Sequence, residues 1–156
     1  MTKTRIGWRR AAALAAACWL GAGIAAAASV AVTDVKAEVK TSTVGASKGK
    51  DYLRVTYTAH VSDAVEKLTT VQVKASCKAG DQTVADTYSL GPKLDTAEKG
   101  ASKPGSAPLF MKEGLPAKPS QCTLSFGLGK PTARGAATPL KDFCWDGSSA
   151  KEGACK

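Results

Sequence analysis

Tyr52-Leu53-Arg54-Val55-Thr56-Tyr57-Thr58-Ala59-His60-Val61 is the stretch that decides the fold class. Leu53, Val55, Tyr57, Ala59 and Val61 fall on one parity, and Arg54, Thr56, Thr58 and His60 on the other. Successive Cβ atoms leave a pleated strand on opposite sides, so a period of two marks a strand with one face in a core and one in water. The pattern recurs on either side. Val35, Ala37 and Val39 alternate with Lys36, Glu38 and Lys40, preceded by Val30 and Val32; Val71, Val73, Ala75 and Cys77 alternate with Gln72, Lys74 and Ser76. Lys78-Ala79-Gly80-Asp81 supplies turn chemistry, so Val84 to Leu90 is expected to return as the partner strand of a hairpin. Leu109-Phe110-Met111 reads as a short strand, and Cys122, Leu124, Phe126 and Leu128 as the last regular one. Several such strands in succession predict an all-β fold, an antiparallel immunoglobulin-like β-sandwich. Its regular part covers about residues 30–128, and residues 129–156 are expected as a tail that folds back and is closed by a disulfide.

The head of the chain predicts an address. Lys3, Arg5, Arg9 and Arg10 precede an apolar run from Ala11 to Ala28, and Ala26-Ala27-Ala28 before Ser29 has the small residues of a cleavage site. Residues 1–28 therefore read as a signal peptide and residues 29–156 as one secreted or periplasmic domain. The run is mostly Ala and Gly, which supply little transfer energy, so a retained membrane anchor is the weaker reading. Cys18 as a lipidation site fits worse, because Ala15 stands three residues before it and the cut would leave Trp19 to Ala28 on the mature chain. Arg9-Arg10 lacks the bulky residue expected after a twin-arginine signal.

Four of the 22 basic residues lie in the first 28 and none of the 13 acidic ones, which leaves 18 against 13, a net +5. The 18 are nearly all Lys, scattered without a basic stripe, and only Arg54 and Arg134 are Arg. Nucleic acid is excluded on that ground, since base readout favours Arg forks and backbone tracking needs clustered cations. An extracytoplasmic protein or an anionic envelope polymer is the expected partner. Leu, Ile, Val and Phe make up about 18% of the mature chain, a thin core that cysteines can supplement in an oxidising compartment. Cys77, Cys122, Cys144 and Cys155 allow three pairings. The preferred one joins Cys77 to Cys122, both at inward strand positions, and Cys144 to Cys155 around a short Gly- and Ser-rich loop.

From about Asp51 to Leu128 the order of elements resembles the FxLYD-type and related immunoglobulin-like modules of exported bacterial proteins. The resemblance rests on Leu53-Arg54-Val55-Thr56-Tyr57, on Val71-Gln72-Val73-Lys74-Ala75 with Gly80 after it, and on Lys103-Pro104-Gly105-Ser106-Ala107-Pro108-Leu109-Phe110, where a Pro-Gly turn is expected before a strand carrying Phe. Val73-Lys74-Ala75-Ser76-Cys77 stands in place of the naming motif. The resemblance implies a fold and a non-catalytic adhesion, sensing or spacer role, with no ligand specified.

Chemistry-bearing constellations are sparse. His60 is the single histidine and falls on the polar face of its strand, so it is expected at the surface without ligand partners. Zinc needs three or four good ligands, and in an exported chain the cysteines are better used as disulfides; no metal and no cofactor are expected. No Gly-x-Ser-x-Gly elbow is present, and the 13 carboxylates are too many to select a pair, so no catalytic residue is assigned. Phe143, Trp145 and Asp146 form the candidate ligand-binding group, with Trp145 either an exposed platform or a ring packed on its neighbouring disulfide. The connection 91–106 and the loop 145–154 are the expected binding surface. Behind them stand the outward strand faces, with Arg54, Lys74 and Gln72 first. The sequence thus predicts a module that acts by binding, with an inhibitor of an extracytoplasmic enzyme, then a carboxylate-based hydrolase, as the alternatives.

Overall fold

The computed structural model describes residues 29–85, 89–95, 97–111, 114–115, 119–130 and 138–156. Residues 1–28, expected as a signal peptide and including Cys18, lie outside the described residues. Among the described residues nine strands follow in order: β1 (Val30–Thr41), β2 (Asp51–Val61), β3 (Thr70–Ala79), β4 (Gln82–Ala85), β5 (Ser89–Lys93), β6 (Ser102–Leu109), β7 (Gln121–Gly129), β8 (Thr138–Trp145) and β9 (Ala150–Glu152). All pairings are antiparallel. The smaller sheet has the order β1-β2-β6, and the larger runs β4-β3-β7-β8-β9 with β5 also paired to β3.

β2 is the alternating strand read from the sequence: Leu53, Val55, Tyr57, Ala59 and Val61 are buried, and the residues between them are half-buried. β1 needs a device to do the same, because Val30 and Val32 are even and Val35 odd, yet all three are buried. Thr33 pairs with Thr58 and Lys36 with Thr56, so Asp34 and Val35 together face the single residue Tyr57. This is a β-bulge, and Asp34 takes it up at φ 54. In the β3–β4 hairpin Ala79 pairs with Gln82 across a two-residue turn that begins with Gly80 at φ 58.

Two expectations are corrected. The segment 91–106 is not an irregular connection: β5 runs to Lys93 and β6 starts at Ser102, with Leu94 fully buried between them. Ser102-Lys103-Pro104-Gly105-Ser106-Ala107-Pro108-Leu109 has the composition of a loop but is an edge strand, and the Pro104-Gly105 expected as a turn lies inside it. Prolines survive there because Pro104 opposes Thr58 and Pro108 opposes Arg54, the same parity on which β2 turns its side chains outward. In an antiparallel ladder such positions aim their backbone groups away from the partner strand, so the missing N–H groups cost no ladder bond and deny the open edge two donors. The second concerns only where the regular strands end: the tail is closed by Cys144–Cys155 as expected, but β8 and β9 within it extend the larger sheet beyond Leu128.

The two sheets meet in one core. Tyr57 of the smaller sheet packs edge-on against Phe126 of the larger at 5.0 Å between centroids, and Phe126 against Phe143 at 5.5 Å. Tyr57 opposes Gly105 directly, and its ring occupies the space that a side chain at Gly105 or Gly91 would need. Desolvation raises its phenol well above the ordinary value, so the hydroxyl stays neutral. The structure pairs Cys77 with Cys122, register partners on β3 and β7, and Cys144 with Cys155. Two such bridges belong to an oxidising environment.

Candidate binding faces

Phe143 and Trp145 share the parity that faces the core and are 8% and 3% exposed. Trp145 is therefore not an exposed platform. Nor does it pack on its neighbouring bridge: it is the cross-strand partner of Cys122 on the inner face, whereas Cys144, one residue away, turns outward. Its indole nitrogen is buried without a hydrogen-bond partner among the described residues. Asp146 is exposed but occupied. It accepts from Ser149 N at 2.8 Å, Ser148 Oγ at 2.8 Å, Ser148 N at 3.0 Å and Ser149 Oγ at 3.1 Å. The Ser149 backbone bond, then those of Ser148, hold its carboxyl well below the usual carboxylate range. The group folds the β8–β9 turn, with Oδ1 taking three of the four bonds and Oδ2 one.

The two segments expected to form one binding surface sit apart. β5 and β9 lie at opposite edges of the larger sheet, four strand steps or about 19 Å from each other. Between them runs the sheet's outer face. Lys74 and Lys78 project from β3 at the parity opposite to buried Val73, Ala75 and Cys77; Lys93 opposes Thr70, and Lys151 opposes outward Cys144. Asp142, opposite Ser125, is the carboxylate on the strands of this face, so four cations stand against one anion among the described residues. Lys74 and Lys78 are about 13 Å apart along the strand. Ser76, Thr123 and Ser125 fill the ground between the charges. The tail crosses one end of this face, where Cys155 N donates to Thr123 Oγ1 at 3.1 Å and Gln121 Nε2 to the Lys156 carbonyl at 3.1 Å. Gln72, expected on this polar face, is 1% exposed; its Nε2 donates to the Lys130 carbonyl at 3.2 Å.

The outer face of the smaller sheet is closer to neutral. Lys36, Lys40 and Arg54 stand against Asp34 and Glu38, with Lys40 and Glu38 paired at 3.2 Å. Arg54 Nε reaches Ser106 Oγ at 3.4 Å. His60 lies on this polar face as expected, and both of its ring nitrogens meet hydroxyls: Nε2 lies 2.8 Å from Thr33 Oγ1 and Nδ1 2.7 Å from Ser102 Oγ. Thr33 comes from β1 and Ser102 from β6, so the strand register creates this contact.

A small cavity of about 100 Å³ lies beside Lys74 and Ser125 on the larger sheet, and larger ones lie at the two ends of the sandwich. One of about 430 Å³ is lined by Ser29, Val65, Glu66, Leu128, Lys130 and Thr138 among others, and one of about 620 Å³ by Lys50, Asp51, Phe110, Met111 and Leu115 among others. Among the described residues no three of His, Cys, Asp and Glu converge on a common point. No protein family, curated protein or solved structure matches the chain.

Proposed function

We propose that this chain is an exported binding module, secreted or periplasmic after loss of residues 1–28, that takes a negatively charged partner on the outer face of its larger sheet. The observation that carries the reading is the excess of Lys74, Lys78, Lys93 and Lys151 over Asp142 on one rigid face. Charge of one sign on a fixed scaffold raises the local concentration of an oppositely charged partner and speeds encounter. An anionic envelope polymer is the favoured partner, because the cations are spread over the width of a sheet rather than gathered around a pocket. An acidic extracytoplasmic protein is the second. The two disulfides support export to an oxidising compartment. The immunoglobulin-like reading draws support from a three-stranded sheet stacked on a larger one, with the chain crossing between them after β2, β5 and β6. The Cys77–Cys122 bridge differs from the inter-sheet bridge of antibody domains, since it joins neighbours within one sheet.

The test is retention on immobilised dextran sulfate and on poly-L-glutamate across a salt gradient. Combined Lys74→Glu, Lys78→Glu and Lys151→Glu should weaken binding by about tenfold or more. Combined Lys36→Glu and Arg54→Glu, on the other face, should change it less than about twofold. Equal losses from both faces, in variants that melt like the parent, would sink the assignment. Retention on poly-L-glutamate alone would move the partner from polymer to protein.

A further inference from the structure

We propose that Ser102 is an activated nucleophile, with His60 as its general base, on the outer face of the smaller sheet; this is independent of the lysine face. Four side chains form a directed line. Thr33 gives its one hydroxyl proton to Asp34 Oδ2 at 3.0 Å, so Thr33 Oγ1 accepts from His60 Nε2 at 2.8 Å. A neutral imidazole has a single N–H. Nδ1 is then the acceptor and takes the Ser102 hydroxyl at 2.7 Å. The order Ser102, His60, Thr33, Asp34 places an alcohol on one ring nitrogen and, through one relay hydroxyl, a carboxylate behind the other. That arrangement serves nucleophilic catalysis: one group removes the alcohol proton and another holds the base in the right tautomer and steadies the imidazolium.

A second observation comes from the backbone. Asp34 is a non-glycine residue at φ 54, in the bulge that interrupts β1. Bulges re-aim side chains, and non-glycine residues in the left-handed region cost stability that the surroundings must supply. Here the inserted residue sets the carboxylate beside Thr33. The ladder contributes as well. Ser102 opposes His60 at the same parity as Pro104 and Pro108, the close-approach class of pair, and its own N–H points to the open side of β6, where it can serve an oxyanion.

The reaction class is acyl transfer from a short-chain ester. Ser102 Oγ attacks the carbonyl carbon, an Oγ–C bond forms and the hydroxyl proton passes to His60 Nδ1. Collapse breaks the ester C–O bond, and Nδ1 returns the proton to the leaving oxygen. Water then releases the acyl group by the same route. Ser102 is exposed and the end cavities do not involve it, so an ester accessible on an open surface is the substrate that fits.

The probe is an alkyl fluorophosphonate on the disulfide-bonded chain: Oγ–P forms, P–F breaks, fluoride leaves and His60 takes the proton. Peptide mapping should place the label on Ser102 ahead of Ser106, its neighbour on the same face. His60→Gln should slow labelling by about tenfold or more, and Thr33→Val likewise, with Thr33→Ser restoring the rate. Asp34→Gly keeps the bulge conformation without the carboxylate and should also slow labelling, while melting stays at or above the parent's. Turnover of p-nitrophenyl acetate should be lost in Ser102→Ala. Labelling of Ser102 no faster than of Ser106, or a rate indifferent to His60→Gln and Asp34→Gly in folded protein, would overturn the proposal.

Discussion

Gly91→Ala, followed by removal of the Tyr57 hydroxyl, tests how the two sheets lock together. A Cβ at Gly91 would overlap Tyr57 Oη, while Tyr57 Cζ stands at 3.1 Å and the Val71 carbonyl at 3.3 Å. A Cβ at Gly105 would overlap Tyr57 Cζ, with Cε2 at 2.5 Å and Oη at 2.7 Å. Overpacking of this kind costs about 1–3 kcal/mol. Tyr57→Phe deletes the atom that blocks Gly91 but leaves the ring that blocks Gly105. It also deletes a hydroxyl with no partner among the described residues, so alone it should be neutral or stabilising by about 1 kcal/mol. In urea or thermal melts, Gly91→Ala should lower stability in the parent and by under about 1 kcal/mol in Tyr57→Phe, whereas Gly105→Ala should stay costly in both. The same variant has an alkaline signature. Burial raises the folded-state ionisation of Tyr57 above its ordinary 10.0. The folded chain therefore holds a proton that the unfolded chain gives up, and this contribution is full below pH 10 and lost as pH rises beyond it. Tyr57→Phe should flatten that decline. Equal costs of Gly91→Ala in both backgrounds, or full rescue of Gly105→Ala, would refute the packing account.

The bridges should differ in weight. Cys77–Cys122 closes a separation of 45 residues and Cys144–Cys155 one of 11, which the chain-entropy relation converts to about 4 and about 3 kcal/mol. Cys77 and Cys122 are fully buried while Cys144 and Cys155 are half-buried, so thiol trapping under mild reductant should open the tail bridge first. The reverse order would contradict this burial. Trp145→Ala should cost about 3–5 kcal/mol and leave retention on dextran sulfate unchanged while the chain is folded. A selective loss of retention with unchanged melting would restore the ring to the binding surface.

Strands that announce themselves do so through side chains, and the chain shows where that signal stops. β2 and β3 alternate because each has one face in the core, and the inward cysteines of β3 and β7 follow the same parity into register as Cys77 and Cys122. β6 carries Ser, Lys, Pro and Gly because it is an edge whose outward backbone can spare N–H groups and whose Gly105 must admit the Tyr57 ring. Its composition reports what it avoids, not what it buries. Two signals were present in the residues. The change from even to odd between Val32 and Val35 requires one inserted residue, hence the bulge at Asp34. The shared parity of Phe143 and Trp145 turns both rings inward with Cys144 outward. The partners of His60 were beyond reach, since Thr33 and Ser102 are 27 and 42 residues away and meet it only through strand order.

Strand order also moves the proposed site from loops to faces. The β8–β9 turn spends the Asp146 carboxylate on its own backbone and hydroxyls, the β3–β4 turn has two residues, and the connection after β5 is shortened by β6 and anchored by buried Leu94. Pro104 and Pro108 remove donors from the open edge of β6, which disfavours recruitment of a partner strand there. The outer faces remain, and they differ in kind. The larger sheet holds cations on separate strands, where a partner gains by spanning several of them and salt should weaken the complex in proportion. The smaller sheet holds its polar groups in contact with one another, so its chemistry depends on a single proton path through His60. Charge reversal on β3 and β9 should therefore leave Ser102 labelling intact, and His60→Gln should leave polymer retention intact; cross-talk between the two would mean that one site, not two, spans the sandwich.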